Sequence, residues 1–189
     1  MDRAVTATLA PTLFQRILGS AFYGLAPCVR QLHGVRGTAR YAGVASIERG
    51  HNPLARLCAR IAGLPPAMRD AAATVEFAAD AKGESWRRDF GGRRMASRLA
   101  CRDGLLQERL GPLQFRYILH ARDGALWWQV ARVRLLGLLP LPVALFDGVR
   151  CREREHEGRY EFLVEAGLPL LGPVIRYEGW LLPVDDAAG

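Results

Sequence analysis

The sequence predicts a mainly β fold, a curved antiparallel meander of about ten strands that forms a calycin-like barrel or half-barrel with short helices in the N-terminal half. Two observations favour this fold. The first is that residue pairs suited to tight turns separate segments rich in aromatic and branched side chains, at Gly91-Gly92, Asp103-Gly104, Asp123-Gly124 and Glu157-Gly158. Such turns need positive φ angles, which glycine adopts at little cost.

The second observation is the alternation of side chains between the turns. Leu113, Phe115 and Tyr117 fall on one face of an extended segment, while Gln114 and Arg116 fall on the other. A strand places alternate residues on opposite faces, whereas a helix would scatter them around its circumference. The alternation therefore favours strands over helices.

The whole chain, residues 1–189, is expected to fold as a single domain, because a chain of this length buries a sizeable core without a metal or a disulfide. The predicted elements are a helical cap at about 11–33, a first strand at 35–48, a helix at 53–62 and an antiparallel meander at 74–184. Glycine and alanine are frequent in the first strand, which suits a strand that bends or that another backbone approaches closely.

The best-defined helix signal lies between Asn52, which can cap the first turn, and Gly63, which can end the helix. Apolar residues recur between these ends at helical spacing, at Leu54, Leu57, Cys58 and Ile61. Two interpretations stay open. The helix packs on the sheet like any amphipathic helix, or it gates an interior cavity. In the second case Leu54, Leu57 and Ile61 face the interior, and Trp86, Trp127 or Trp128 lies near the opposite wall.

The longest apolar run, Leu135 to Phe146, contains Pro140 and Pro142. It is shorter than the roughly 20 residues that a transmembrane helix needs. We expect it to cross one end of the barrel or to pack under the N-terminal helices, since so apolar a segment needs a cover. The alternative is a buried strand followed by a turn.

The net charge of +7 comes almost wholly from arginine, since Lys82 is the only lysine among 26 basic residues. The arginines are spread along the chain and interleaved with acidic residues, so nucleic-acid binding is not indicated. No signal peptide, CxxC pair or histidine spacing typical of a metal site is found. We therefore expect a cytoplasmic, reduced protein without a metal.

One hairpin carries a concentration of positive charge. Arginines crowd Asp89 and the turn at Gly91-Gly92, at Arg87, Arg88, Arg93 and Arg94. Clustered guanidinium groups can hold a phosphate or carboxylate. The alternative is a turn with solvated arginines, which contribute little.

Several strings of residues resemble a bacterial family catalogued as domain of unknown function 4166. They include Trp86-Arg87-Arg88-Asp89-Phe90-Gly91-Gly92, Glu108-Arg109-Leu110-Gly111-Pro112 and Arg176-Tyr177-Glu178-Gly179-Trp180. The family occurs alone or joined to NAD(P)-binding dehydrogenase-like or epimerase-like domains. The resemblance therefore implies an accessory or substrate-handling role, with an NAD(P)-dependent dehydrogenase-like protein as a candidate partner. It implies no catalytic residue. The chain has no glycine-rich dinucleotide fingerprint, and no cofactor is expected.

We interpret the chain as a module that binds a small apolar or amphiphilic ligand in a barrel cavity. The candidate ligand-binding residues are Leu54, Leu57, Ile61, Trp86, Trp127, Trp128, Tyr117 and Arg176. One alternative is an enzyme of isomerase or cyclase type that uses the same cavity, with Arg176, Glu178 or His120 as its ionisable group. Another is an accessory interaction domain for a dehydrogenase-like partner, with a filled interior and an exposed apolar patch.

Overall fold

The computed structural model describes residues 10–184, which form a closed antiparallel barrel with short helices in the N-terminal part. The helices are α1 (Leu13–Leu18), α2 (Pro27–His33) and α3 (Pro53–Ile61), with 3₁₀ turns at Gly19–Gly24 and Val143–Phe146. The strands are β1 (Gly37–Arg49), β2 (Met68–Asp80), β3 (Gly83–Phe90), β4 (Arg93–Arg102), β5 (Leu105–Leu110), β6 (Leu113–Arg122), β7 (Ala125–Leu135), β8 (Leu139–Leu141), β9 (Arg150–His156), β10 (Arg159–Leu168) and β11 (Gly172–Pro183). The predicted mainly β, antiparallel class is confirmed.

The barrel is closed by strand pairing along the whole meander. Strands β1 to β7 pair in sequence order, β7 also pairs with β9, and β9, β10 and β11 lead back to β1. Only β8 lies outside this ring, as a short strand on the end of β7. Closure leaves every one of the ten ring strands with two neighbours, which removes the exposed edges of an open sheet.

Tight turns set the register of the barrel. Both central residues have positive φ at each of the predicted turns, for example 54° at Asp103 and 74° at Gly104. This geometry matches the twist of the flanking strands, so each hairpin continues without a longer loop. The register then decides which side chains face the interior.

Two glycines allow β1 and β11 to lie closer together than side chains would permit. A Cβ on Gly43 would lie 1.9 Å from the carbonyl oxygen of Trp180, and one on Gly179 would lie 2.2 Å from that of Val44. The expectation that the glycine-rich first strand is closely approached by another backbone is confirmed.

The N-terminal helices close one end of the barrel, which we call the base. Thr12 and Gln15 form a capping box at α1, and the backbone N–H of Ala26 donates to the Gly124 carbonyl at 2.8 Å. Phe14 is fully buried beneath the interior, with its ring 3.8 Å from the His33 ring. The helical cap therefore fills the base of the barrel with side chains of the same chain.

The opposite end, which we call the mouth, is covered in part by α3 and by the segment 136–149. Alanines at 55 and 59 pack α3 against Val174 of β11. Within the apolar run 135–146, β8 folds back to pair with the end of β7, and Phe146 is buried at this end of the barrel. The expectation that the run is covered is wrong for most of it. Its exposed large hydrophobic residues are Leu136, Leu138, Leu139, Val143 and Leu145.

Candidate functional site

The barrel interior contains a cavity of about 170 Å³ between the N-terminal cap and the mouth. Its mouth-side wall includes Cys58 of α3, Ala62 directly after that helix, Phe146 of the 3₁₀ turn, and Leu168 at the end of β10. Most of the remaining wall is aromatic or aliphatic. The interior is therefore not filled by the protein's own side chains.

Polar side chains are concentrated on one part of the cavity wall, around Arg88 of β3. The Arg88 guanidinium donates to the Ser97 hydroxyl at 2.9 Å and lies 3.7 Å from the Glu108 carboxylate. It also lies over the Trp86 ring, 4.8 Å from its centroid. Because Glu108 already offsets the charge of Arg88, this wall offers directed donors without a net positive charge.

A second acidic group, Glu153 of β9, joins the cavity wall to the N-terminal cap. Its carboxylate accepts a hydrogen bond from Nε2 of His33, at the end of α2, and lies near the Tyr160 hydroxyl. Glu153 lines the cavity, whereas His33 lies behind it and is fully buried. The helical cap thus fixes the position of a carboxylate that faces the cavity.

The third interior carboxylate, Glu84 of β3, lies deeper, on the side of the cap. It accepts a hydrogen bond from the Trp86 indole N–H at 2.8 Å. Burial raises the pKa of Glu84 above its usual value, although His33 and the Trp86 bond partly oppose this. The environment of Glu84 therefore favours its neutral form relative to a solvent-exposed glutamate.

Tyrosines and a cysteine complete the polar wall. Burial, reinforced by Glu108, raises the pKa of Tyr117 well above its usual value, and burial with the Glu153 contacts does the same for Tyr160. The pKa of the Cys151 thiol is raised by burial, Glu108 and Glu153. The hydroxyls therefore remain donors at neutral pH, and the thiol remains protonated and is a poor nucleophile.

Three of the ligand-binding candidates lie in the cavity wall: Trp86, Trp128 and Tyr117. Trp127 and Arg176 do not. Trp127 is 40% exposed on the outer face of β7, one position from Trp128, and the Arg152 guanidinium lies over its ring. Arg176 pairs with Glu165 and Glu178 on the outer face of the sheet.

The prediction that the apolar stripe of α3 faces the interior is wrong. Leu54, Leu57 and Ile61 are 58%, 50% and 59% exposed. The helix instead packs through its alanines, because small side chains let it lie close to β11. The face of α3 that contacts the barrel lies about one residue, or about 100° around the helix axis, from the apolar stripe.

The four arginines of the β3–β4 hairpin are not gathered into one anion site. Strand alternation directs Arg88 into the barrel and Arg87 outward, and Arg87, Arg93 and Arg94 are all exposed. Arg94 lies 3.8 Å from Asp89 with its side chain 92% exposed. The single-cluster prediction is wrong for this reason.

The ionisable residues proposed for an enzyme also lie elsewhere. His120 hydrogen-bonds Gln129 at the surface, and Glu178 pairs with Arg176. The interior groups that sequence reasoning missed are Glu84, Glu108, Glu153 and His33, and Arg88 was named only as part of the anion-binding cluster.

A signal for the strand residues was present in the turns. The two-residue turn at Glu157-Gly158 sets Glu153 opposite Phe162, which the alternation places inside. The turn at Gly91-Gly92 likewise sets Arg88 opposite Met95. No comparable signal exists for His33, since its approach to Glu153 depends on the docking of α2.

Two absences apply to residues 10–184. No group of three or more His, Cys, Asp or Glu side chains in this part of the chain is arranged to hold a metal ion. No helix of the same region is both long and apolar enough to cross a membrane.

The sequence profile of the family described as Domain of unknown function (DUF4166) matches residues 25–181, most of the chain. The chain belongs to the DUF4166 family. A search of curated proteins finds no match to this DUF4166 chain. The matched region runs from the end of the 3₁₀ turn that precedes α2 to β11, so it contains every polar residue of the cavity wall described above.

The buried Glu84 of this DUF4166 chain predicts a pH-dependent stability. The pKa of Glu84 is raised in the folded chain. As pH rises above the usual value near 4.5, Glu84 therefore loses its proton more readily in the unfolded chain than in the folded one. The free energy of unfolding decreases from that pH up to the raised pKa. Glu84→Gln removes this loss. Urea unfolding at pH 4 and pH 7.5 should show that the free energy of unfolding of Glu84→Gln, relative to the unmodified chain, increases with pH.

The surface variant Glu76→Gln is the matched control and should show no such change, since Glu76 is exposed on the outer face of β2. Parallel pH profiles for Glu84→Gln and the unmodified chain would contradict the assignment of a raised pKa to Glu84.

Proposed function

We propose that this DUF4166 chain binds a small amphiphilic molecule inside the barrel. The observation that carries the proposal is an apolar cavity of about 170 Å³ whose polar groups, Arg88, Glu108, Glu153 and the tyrosines, lie together on one part of its wall. A purely apolar ligand would leave these groups without new partners, whereas an amphiphile satisfies both parts of the wall.

The polar end of the ligand is expected to be a hydroxyl or carbonyl group and not an isolated anion. Arg88 is the cation of this wall, and its charge is already offset by Glu108 at 3.7 Å. Glu153 adds a further negative charge to the wall. An anionic head group would therefore meet net repulsion, while a neutral oxygen can accept from a tyrosine hydroxyl or from Arg88.

The cavity volume limits the apolar part of the ligand. At about 170 Å³, it is close to the roughly 150 Å³ apolar cavity that is known to admit benzene in another protein. One small ring or a short chain fills such a space. A longer chain has to extend past Phe146 and Leu168 towards the mouth.

Helix α3 is the proposed cover of this cavity. Cys58 and Ala62 lie in the wall, and so does Leu64, which follows the helix. The helix packs on β11 through alanines, so few large side chains hold it in place. Local opening of α3 is a route for ligand entry that leaves the barrel hydrogen bonds intact.

Straight-chain alcohols of increasing length test the proposal, with tryptophan emission as the readout because Trp86 and Trp128 line the cavity. Each methylene that becomes buried should tighten binding by about fourfold, from roughly 0.8 kcal/mol per CH₂. The gain should stop at the length that fills the cavity. In Val164→Phe, which narrows the cavity, it should stop at a shorter length.

The matched control is Leu163→Phe, which makes the same kind of change on the neighbouring residue, outside the cavity lining. It should leave the length dependence unchanged. Binding that is absent for all alcohols, or that responds equally to both variants, would contradict a ligand site in the barrel.

A second candidate function is favoured by the position of Glu153. A carboxylate held by His33 at a cavity wall, with the Tyr160 hydroxyl nearby, is suited to act as a general base. In such an isomerase it would remove a proton from the carbon beside a carbonyl. The C–H electrons would form an enolate, whose oxygen accepts from a tyrosine or Arg88, and the proton would return to another carbon.

Cyclohex-3-enone is a suitable substrate probe, because its ring is small and its conversion to cyclohex-2-enone is followed by ultraviolet absorption. The unmodified chain should accelerate the conversion, and Glu153→Gln should reduce the rate by about 10²-fold or more. Glu161→Gln, on the same hairpin but paired with Arg154, is the control and should retain the rate. Circular dichroism checks that Glu153→Gln is folded. Rates equal to that of buffer in all samples would exclude this candidate reaction for the probe.

A further inference from the structure

Exposed apolar side chains are concentrated at the mouth of the barrel. Of the fourteen large hydrophobic residues that are exposed among those described, nine lie there. We call these nine the mouth rim: Leu54, Leu57, Ile61, Leu136, Leu138, Leu139, Val143, Leu145 and Leu170. Scattered exposed leucines are ordinary on protein surfaces, but their concentration around one end is not.

The mouth rim forms a ring because the segments that carry it are in contact. The β5–β6 turn lies against the end of α3, where a Cβ on Gly111 would be 3.3 Å from the Ala62 carbonyl oxygen. The next contact joins Leu136 to Pro112 through a backbone hydrogen bond of 2.7 Å. On the other side, Gly167 bonds to Gly148, and Leu171 packs on the cluster beneath α3.

The same segments that carry the mouth rim also line the cavity. Ala62, directly after α3, faces the cavity while Ile61 is exposed, and Phe146 faces it while Leu145 is exposed. Leu168 lines the cavity close to Leu170, which is fully exposed. The rim therefore encircles the cavity entrance, and whatever covers the rim also covers the entrance.

Positive charge accompanies the rim. The mouth loops are those that follow β1, β3, β5, β7 and β10. Taken together with the two strand residues on either side of each loop, they contain nine arginines: Arg49, Arg56, Arg60, Arg69, Arg93, Arg94, Arg109, Arg134 and Arg150. The same segments contain three carboxylates, Glu48, Asp89 and Asp147. The four turns between strands at the base, counted in the same way, contain four basic residues and six carboxylates. The net charge of the chain is thus concentrated at the end that carries the apolar rim.

Three of these arginines lie close together at α3, where their positive charges repel one another. Among residues 10–184, Arg49, Arg56 and Arg60 form no ion pair with a carboxylate. One guanidinium nitrogen of Arg49 is buried without a hydrogen-bond partner. Burial and the proximity of Arg56 and Arg60 lower the pKa of Arg49. An anion at this position would relieve both the repulsion and the missing hydrogen bond.

We propose that the mouth rim docks on the surface of a membrane that contains anionic lipids. Its leucines enter the boundary between head groups and acyl chains, and the surrounding arginines bind lipid phosphates. Docking itself does not require an occupied cavity. Its consequence, transfer of an amphiphile between bilayer and barrel without passage through water, rests on the proposed function.

A lipid surface fits these features better than a protein partner. The rim is a ring of separate side chains on several loops, which a fluid surface accommodates without matched shape, whereas a stable protein interface needs a packed, complementary core. Phosphate groups also supply the anions that the arginines lack within the described chain.

Co-sedimentation with vesicles tests the proposal. The full chain should bind vesicles of phosphatidylcholine with phosphatidylglycerol more tightly than vesicles of phosphatidylcholine alone, and added sodium chloride should weaken the binding. Leu138→Glu, at a position that is 83% exposed, should weaken binding by about tenfold or more, from the loss of one buried leucine. Arg60→Gln should weaken it by about fivefold, the effect of one basic residue at an anionic surface.

Matched controls lie at the base of the barrel. Tyr23→Glu changes a residue that is 66% exposed on the N-terminal cap, and Arg102→Gln changes an exposed arginine of the β4–β5 hairpin. Both should bind vesicles like the unmodified chain. Equal loss in rim and base variants, or no binding to anionic vesicles, would overturn the proposal, as would a stable dimer that Leu138→Glu dissociates.

The membrane proposal and the cavity proposal can fail separately. Leu138→Glu should still bind free alcohols in the absence of vesicles, because Leu138 does not line the cavity. Loss of vesicle binding with alcohol binding retained supports the docking role of the rim. If the unmodified chain binds vesicles but binds no alcohol, the docking proposal stands and the cavity proposal is refuted.

Discussion

The hydrogen-bonded pair of His33 and Glu153 is the contact on which the interior depends. Glu153 projects from β9 into an apolar cavity, where an unpaired carboxylate would cost several kcal/mol. The imidazole that pairs with it comes from α2, outside the ring of strands, and is itself buried under Phe14. The helical cap therefore does more than close the base of the barrel, because it also makes a polar group tolerable inside it.

From this pair the interior changes character along the barrel axis. Near the cap the interior contains Glu84 and His33, behind the cavity lining, and further up the cavity wall carries Arg88, Glu108 and the tyrosines. Towards the mouth, the walls become alanine, leucine and phenylalanine. The polarity of the interior thus decreases from base to mouth, and at the mouth apolar side chains continue outward into solvent. This polarity gradient relates the proposed ligand, with one polar end, to the proposed membrane contact.

Local sequence signals predicted the fold because closure of this barrel is largely a property of its hairpins. The turns at Asp103-Gly104 and Asp123-Gly124 and the alternation around Phe115 determine register, and register determines faces. The same logic, carried through, also places Arg88 and Glu153 inside. For helix α3 the local signal was insufficient. The helix has the apolar stripe that the sequence predicted, but this stripe faces away from the barrel interior.

The failure at α3 has a physical cause. Hydrophobic periodicity shows that a helix has an apolar face, but not whether that face meets the protein or something else. Packing through Ala55 and Ala59 was available because small residues allow a close approach to β11. His33 lay beyond prediction for another reason, because it meets Glu153 only through a contact between residues 120 positions apart in the chain.

The central claim is that the barrel interior is a binding site for an amphiphile. Intermolecular NOEs between hexanol and the chain, measured by isotope-filtered NMR, test it most directly. We expect contacts from the carbon that bears the hydroxyl to the Tyr117 ring, and from the terminal methyl to Leu110 or Phe115. NOEs confined to exposed residues such as Leu138, or none at all at saturating hexanol, would contradict a ligand site inside the barrel.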